Sequence, residues 1–288
     1  VRVRIAFLGA GLLGAAMIER FLRGGTEVCV WNRTPGRLEP LLALGASAAA
    51  TPREALAGAS RLHLALRDDA SVDTVLDACG DALPGVLVVD HTTVTPEGAR
   101  ARAVRLAGRG VAFLHAPVFM GPSAARAGGG AMLVSGPGPL YAQARDALAG
   151  MTGRVVHLGE APHLAAALKL VGNAMIIGIN AALADALAVA VGAGVPPEQA
   201  MTLFDTFDPC GTIAGRGRAM AAGDYRASFE LVMARKDVQL MLDTAASGGQ
   251  VPHLLPAIAR RMDDLIGAGF GSHDFAVLAV DTIPPAQS

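Results

Sequence analysis

Six residues near the start of the chain, Gly9-Ala10-Gly11-Leu12-Leu13-Gly14, restrict its fold more than any other feature. They follow an apolar run, Val3–Leu8, that reads as a strand. They lead into a segment of helical pattern carrying Glu19, Arg20 and Arg23. Glycine permits a tight turn at Gly9, close approach of backbone to phosphate at Gly11, and helix–strand contact at Gly14. A helix opening on such a turn aims its first N–H groups at an anion. The GxGxxG string is informative only between a strand and a helix, and here it stands in that context.

The first half of the chain continues in the same alternation. Short apolar strands are expected at Val3–Leu8, Glu27–Trp31, Arg61–Leu66, Val86–Asp90, Val111–His115 and Ala131–Ser135, with helical segments between them. Continuous apolar runs suit strands covered on both faces. Thr51-Pro52-Arg53-Glu54 reads as a capping box with proline at the first helical position, and Pro96 opens another helix. The pattern predicts an α/β fold with a doubly wound parallel sheet. It changes near Pro162, after which no strand is evident. A helix is expected over His163–Val191, roughly 40 Å long at 1.5 Å per residue. More are expected at Pro197–Phe207, Phe229–Ala246, Pro252–Ile266 and Asp274–Val280. The expected domains are a Rossmann domain over 1–161 and an all-helical domain over 162–288.

Composition narrows the partners. Hydrophobic residues make up 52% of the 288 residues and charged residues 17%, with a net charge of −1. Nothing favours nucleic acid or an anionic membrane surface. Leu170–Ala184 is apolar, but it contains Asn173 and Asn180 and reads as too short and polar for a span, which needs about 20 residues. Arg2 and Arg4 before Ile5–Ile18 imitate a secretory leader. The strand, the glycine turn and the charges that follow argue against one. Cys29, Cys79 and Cys210 are far apart, and the seven histidines show no ligand spacing, so no metal is expected and a reduced, cytoplasmic setting is. The long segment after Pro162 has apolar residues on more than one face, including Leu168, Ile176, Ile177, Leu183 and Leu187. A homodimer or higher oligomer is therefore expected.

The end of the second strand selects the cofactor. An acidic residue there binds ribose hydroxyls; this chain has Asn32-Arg33-Thr34. A guanidinium pairs with a 2′-phosphate that a carboxylate would repel, so NADP(H) is expected, with Arg33 as a mere loop residue the alternative.

Five ordered motifs, spread over nearly the whole chain, resemble the β-hydroxyacid dehydrogenases, the 3-hydroxyisobutyrate dehydrogenase and glyoxylate/succinic semialdehyde reductase group. They are the stretch Ile5–Gly14, Asp90-His91-Thr92-Thr93-Val94-Thr95-Pro96, His115-Ala116-Pro117-Val118, Lys169-Leu170-Val171-Gly172-Asn173, and Lys236-Asp237 after Phe229. The resemblance implies that Lys169 is the catalytic acid/base and that Asn173 orients the substrate; positions four apart do share a helix face. It implies that Thr92 and Thr93 lie near nicotinamide and substrate. Leu66 and Arg67 border the cofactor, and Lys236, supported by Asp237, closes over it. The family's small residues after A-P-V, which hold a substrate carboxylate, are replaced here by Phe119-Met120-Gly121, and its acidic residue by His115. The expected reaction interconverts a small carboxylated aldehyde and its hydroxyacid. Reduction of C=N bonds by the same architecture, and a non-catalytic dinucleotide-binding scaffold, are the alternatives; Lys169 argues against both.

Overall fold

A computed structural model of the chain describes residues 3–282. Val1 and Arg2, and residues 283–288 of the expected second domain, lie outside the described residues. Nine strands are present among those described: β1 Arg4–Leu8, β2 Glu27–Trp31, β3 Ser47–Ala48, β4 Arg61–Leu64, β5 Leu87–Asp90, β6 Phe113–His115, β7 Val118–Phe119, β8 Ala131–Val134 and β9 Arg154–His157. The helices alternating with them are α1 Leu12–Arg23, α2 Glu39–Ala43, α3 Pro52–Ala55, α4 Asp69–Cys79, α5 Pro96–Ala107, α6 Pro122–Ala127 and α7 Gly138–Ala149. Then come α8 Leu164–Gly192, α9 Pro197–Met201, α10 Gly211–Ala222, α11 Leu231–Ser247 and α12 Leu255–Gly267.

Six strands form one parallel sheet in the order β3-β2-β1-β4-β5-β6. The chain starts in the middle and winds outward both ways, so the crevice at the C-terminal ends of β1 and β4 is the switch point where such folds bind ligands. Both faces are covered. Ile5 and Phe7 join Val28, Val30, Met17 and Phe21 in one core, while Ala6 and Leu8 join Leu62, Leu64, Val72 and Leu76 in the other. The strand expected at Ala131–Ser135 is β8, but it does not extend this sheet. It lies in a separate three-stranded sheet, antiparallel to β7 and parallel to β9. A bridge between His115 and Ser135 ties β6 to it.

The capping box forms in modified form: Thr51 Oγ1 accepts from Glu54 N at 3.2 Å, and Glu54 Oε2 accepts from Ala50 N instead of Thr51 N.

The chain divides into two compact units, the first ending at Asn173 and the second beginning at Ala174. The first turns of α8 therefore belong with the Rossmann unit, about a dozen residues past the boundary expected near Pro162. Ser135 Oγ donates to Pro162 O at 2.9 Å and accepts from Ala165 N, which anchors the start of α8; Ala165 and Ala166 are buried there. In the second unit, Leu231, Ala234 and Val238 pack on Ala259, Met262 and Leu265. Asp185 accepts from the backbone N–H groups of His253, Leu254 and Leu255, and so caps the start of α12.

Two expectations about α8 and its neighbours need correcting. At 29 residues, with a mean hydropathy of 2.0 over its most apolar window, α8 is long and apolar enough to cross a membrane by length and composition; the apolar stretch is longer than Leu170–Ala184 suggested. Helix α10 occupies a stretch where none was expected.

Candidate functional site

The glycine turn is built as a cradle. Gly9 has φ +106°, and a Cβ on it would fall 2.3 Å from Ala65 O. A Cβ on Gly14 would fall 2.1 Å from Gly9 O, so helix and turn are in backbone contact. Gly11 differs: a Cβ there would meet open space, with nothing within 4 Å. Gly11 is also the N-cap of α1 and offers no side chain to the first-turn N–H groups. Those N–H groups therefore face outward beside an open approach, an arrangement suited to a pyrophosphate.

Beside this turn lies a cavity of about 590 Å³, lined by Gly9, Gly11, Trp31, Asn32, Arg33, Thr34, Arg37, Leu66, Arg67, Ser71 and Thr74 among others. Two guanidiniums, Arg33 and Arg37, border it at the end of β2, with no carboxylate among its lining residues. The donor set fits a dinucleotide carrying an extra phosphate on its ribose. Arg37 escaped the sequence reading. Pro35 and Gly36 signal the single 3₁₀ turn that carries it back to the cavity, and that signal was available.

Other expected cofactor residues also make contacts within the protein. Ala10 is buried, and its N–H donates to Asn32 Oδ1 at 3.0 Å. Asn32 Nδ2 donates to Thr34 O at 2.8 Å, so Asn32 braces the glycine turn against the end of β2. Leu13 packs on the core and Leu12 is 84% exposed. Arg67 pairs with Asp68 at 2.8 Å.

Thr92, expected near the substrate, serves in this structure as a brace. It is buried, its N–H donates to Asp90 Oδ1 at 2.9 Å, and its Oγ1 accepts from Leu66 N at 3.0 Å. It thereby fixes the loop that carries Leu66 into the cavity wall. Thr93 is the exposed threonine of the pair.

The catalytic candidates do converge within the first unit. Lys169 is buried, and its Nζ donates to Asn173 Oδ1 at 2.9 Å, one helical turn on. Burial pulls its proton affinity below that of an ordinary lysine. The Phe119 ring lies under the ammonium, 4.0 Å from Nζ to the ring centroid. Met120, expected at the substrate, is partly buried and packs against the core, and Gly121 is the exposed N-cap of α6. Lys236 lies on α11 in the second unit and pairs with Asp237 at 3.0 Å.

Behind the site runs a chain of buried imidazoles. His91 Nδ1 meets Ala116 O at 2.7 Å, and a carbonyl can only accept, so the proton is on Nδ1. His91 Nε2 is then an acceptor, and His63 Nδ1, 3.0 Å away, donates to it. That leaves His63 Nε2 buried without a partner, as are both ring nitrogens of His115. Burial drives all three rings toward the neutral form: His91 down to about 4, His115 to about 3, and His63 well below its ordinary value. Asp90, buried near Arg102 and His115, is pushed up to about 6 by the same cause. Among the described residues, no group of three or more His, Cys, Asp or Glu is arranged to hold a metal.

Residues 4–159 match the NAD-binding domain of 6-phosphogluconate dehydrogenase, and residues 164–280 the NAD-binding domain of NADP-dependent 3-hydroxyisobutyrate dehydrogenase. The chain is 29% identical to glyoxylate/succinic semialdehyde reductase 2 of Arabidopsis thaliana, over 99% of this chain and 81% of the relative. It is 30% identical to an L-threonate dehydrogenase of Cupriavidus necator, over 94% of this chain and 93% of the relative. Among solved structures, an imine reductase from Myxococcus stipitatus in complex with NADP+ superposes with a TM-score of 0.87 at 26% identity, covering 96% of this chain and 98% of that one.

Proposed function

The chain belongs to the β-hydroxyacid dehydrogenase family, and from that premise we propose that it uses NADP(H) to interconvert a small carboxylated aldehyde and its hydroxyacid, with Lys169 as acid/base. The observation that carries the reading is the buried Lys169 ammonium, held by Asn173 in the same compact unit as the phosphate cradle. When bound, the reduced nicotinamide supplies a hydride equivalent to the carbonyl carbon. Gly9, Gly11 and the start of α1 hold the pyrophosphate, and Arg33 with Arg37 pairs with the 2′-phosphate. Lys169 Nζ gives its proton to the carbonyl oxygen, and Asn173 fixes the direction from which it does so. In the oxidative direction the neutral amine takes the proton back from the alcohol, which its lowered proton affinity assists.

Replacing Lys169 with methionine tests this. Methionine suits the apolar flanks, so turnover is expected to fall about 10²–10⁴-fold with NADPH binding retained. Asn173→Ala is expected to lose less, since it removes orientation and not the proton. Near-normal turnover in Lys169→Met would overturn the assignment.

One observation favours a second reading, reduction of C=N bonds: beside Asn173, the other neighbour of the Lys169 ammonium is the apolar Phe119 ring, and the compared fold includes an imine reductase. A screen of aldehydes, ketoacids and cyclic imines with NADPH separates the two. The proposal extends to assembly. In the second unit Ile176, Ile177 and Ile179 of α8 are exposed, and a second copy of the chain is the proposed cover. A cytoplasmic setting, supported by three unpaired cysteines, completes it.

A further inference from the structure

We infer that Phe119 is a positioning residue for Lys169, its ring face holding the ammonium so that a single N–H is left for one substrate oxygen. The inference rests on the reading of Lys169 as acid/base. An ammonium has three donors. One goes to Asn173 Oδ1 at 2.9 Å, and the cation sits 4.0 Å above the Phe119 centroid, where the negative π-face attracts it.

The ring is held there from both sides. Val118 and Met120 pack into the core, and strand alternation turns Phe119 the other way, in register with Ala131. Across from it, a Cβ on Gly172 would fall 2.4 Å from Phe119 Cζ and 2.7 Å from Cε1, so the ring lies against the bare backbone of α8. Phe119, Gly172, Lys169 and Asn173 thus form one fitted group drawn from β7 and α8.

Two consequences follow for the reaction. One remaining N–H suits a single carbonyl or alcohol oxygen. A carboxylate, which seeks two donors, is not held at Lys169 and must lie elsewhere in the substrate's path. The π-face also favours the charged amine and so opposes the effect of burial. The titratable residues nearest in sequence on the elements involved are His163, just before α8, and His115, at the end of β6 before β7. His115 is held neutral, and burial is the one cause that shifts Lys169.

The chain has two lysines, Lys169 and Lys236, so protein carrying ¹³C at lysine Cε gives two resonances, assigned by Lys236→Arg. Titrating both against pH reads Lys169 directly and needs no substrate. Phe119→Leu keeps the apolar burial and removes the π-face. It is expected to lower the Lys169 midpoint by about half a unit to one and a half units of pH, while the Lys236 resonance stays in place. Phe119→Tyr keeps the ring and is expected to restore the midpoint. Should the leucine variant fail to fold, Gly172→Ala displaces the ring by its methyl group and is expected to shift the midpoint the same way. An unmoved Lys169 midpoint in either variant overturns the inference. The acid/base reading fails separately, through turnover in Lys169→Met, whatever the titration gives.

Discussion

Acidification should destabilise the Rossmann unit through its buried histidines, and His115→Leu should remove a defined share of that loss. The ordinary histidine value is 6.5, and the fold holds His91 at about 4, His115 at about 3 and His63 well below its ordinary value. As pH falls below 6.5 the unfolded chain takes up three protons that the folded chain refuses. Asp90 works in the other direction: its folded value of about 6 lies above the ordinary 3.8, so the fold takes up one proton that the unfolded chain does not. Two protons net favour the unfolded state between pH 6 and pH 5, which costs about 2.7 kcal/mol per pH unit at 1.36 kcal/mol per proton. The depressed carboxylates, Asp68 among them, add their losses below this window, as pH approaches the ordinary carboxylate value of 3.8. His115 has both ring nitrogens buried and unpartnered, so leucine sacrifices no hydrogen bond there. The variant should lose only about 1.4 kcal/mol per pH unit, and should be no less stable than the parent at pH 7. Trp31 is the single tryptophan and ends β2, so its fluorescence in urea titrations at pH 7, 6 and 5 reports on this unit alone. A His115→Leu protein with the parental pH slope would refute the assignment of these rings as neutral.

Other consequences can be checked more briefly. Arg33→Asp should weaken NADPH binding by about one to two orders of magnitude and favour NADH, because it replaces a charge-assisted phosphate contact with repulsion; equal binding of both cofactors by the parent would contradict this. Arg37→Ala should weaken NADPH binding and leave NADH binding unchanged, measured by the same titration. Gly14→Ala should cost about 2–3 kcal/mol in urea unfolding, since its methyl meets the Gly9 carbonyl at 2.1 Å and neither backbone can yield freely. Sedimentation should show a dimer or larger species; a monomer at every concentration would remove the second copy from the proposal.

The sequence foretold elements that carry their own periodicity and missed those defined by a partner. Strands β1, β2, β4, β5 and β6 were readable as apolar runs because both their faces are buried. β3 and β7 have two residues each, too few for any pattern, and exist because Cys29 pairs with Ser47 and Val118 with Met132. Helix α10 contains Gly211, Gly215 and Gly217, each costing about 1 kcal/mol of helix propensity, so local preference gives no signal for it; none of its residues is buried, and Arg216 ties it to Asp274 at 3.0 Å. The 3₁₀ turn at Phe275–Ala279 replaces the last expected helix; Asp274 caps it by accepting from Ala276 N at 3.0 Å.

Within the site, residue types were legible and directions were not. A helix puts Lys169, Gly172 and Asn173 on one face by spacing alone, so their grouping followed from numbers three and four. Which of Thr92 and Thr93 turns inward is decided by Leu66 N, a donor 26 residues away in sequence that only the sheet brings within 3.0 Å. Phe119 and Met120 looked equivalent as bulky replacements, yet alternation sends one to the lysine and the other to the core. Register settles such pairs, because a shift of one residue along β7 would exchange the two side chains between the core and the ammonium. The chemistry proposed for Lys169 therefore depends on a two-residue strand with no pattern of its own. Its pairing with β8 is what fixes the identity of the ring beside the proposed acid.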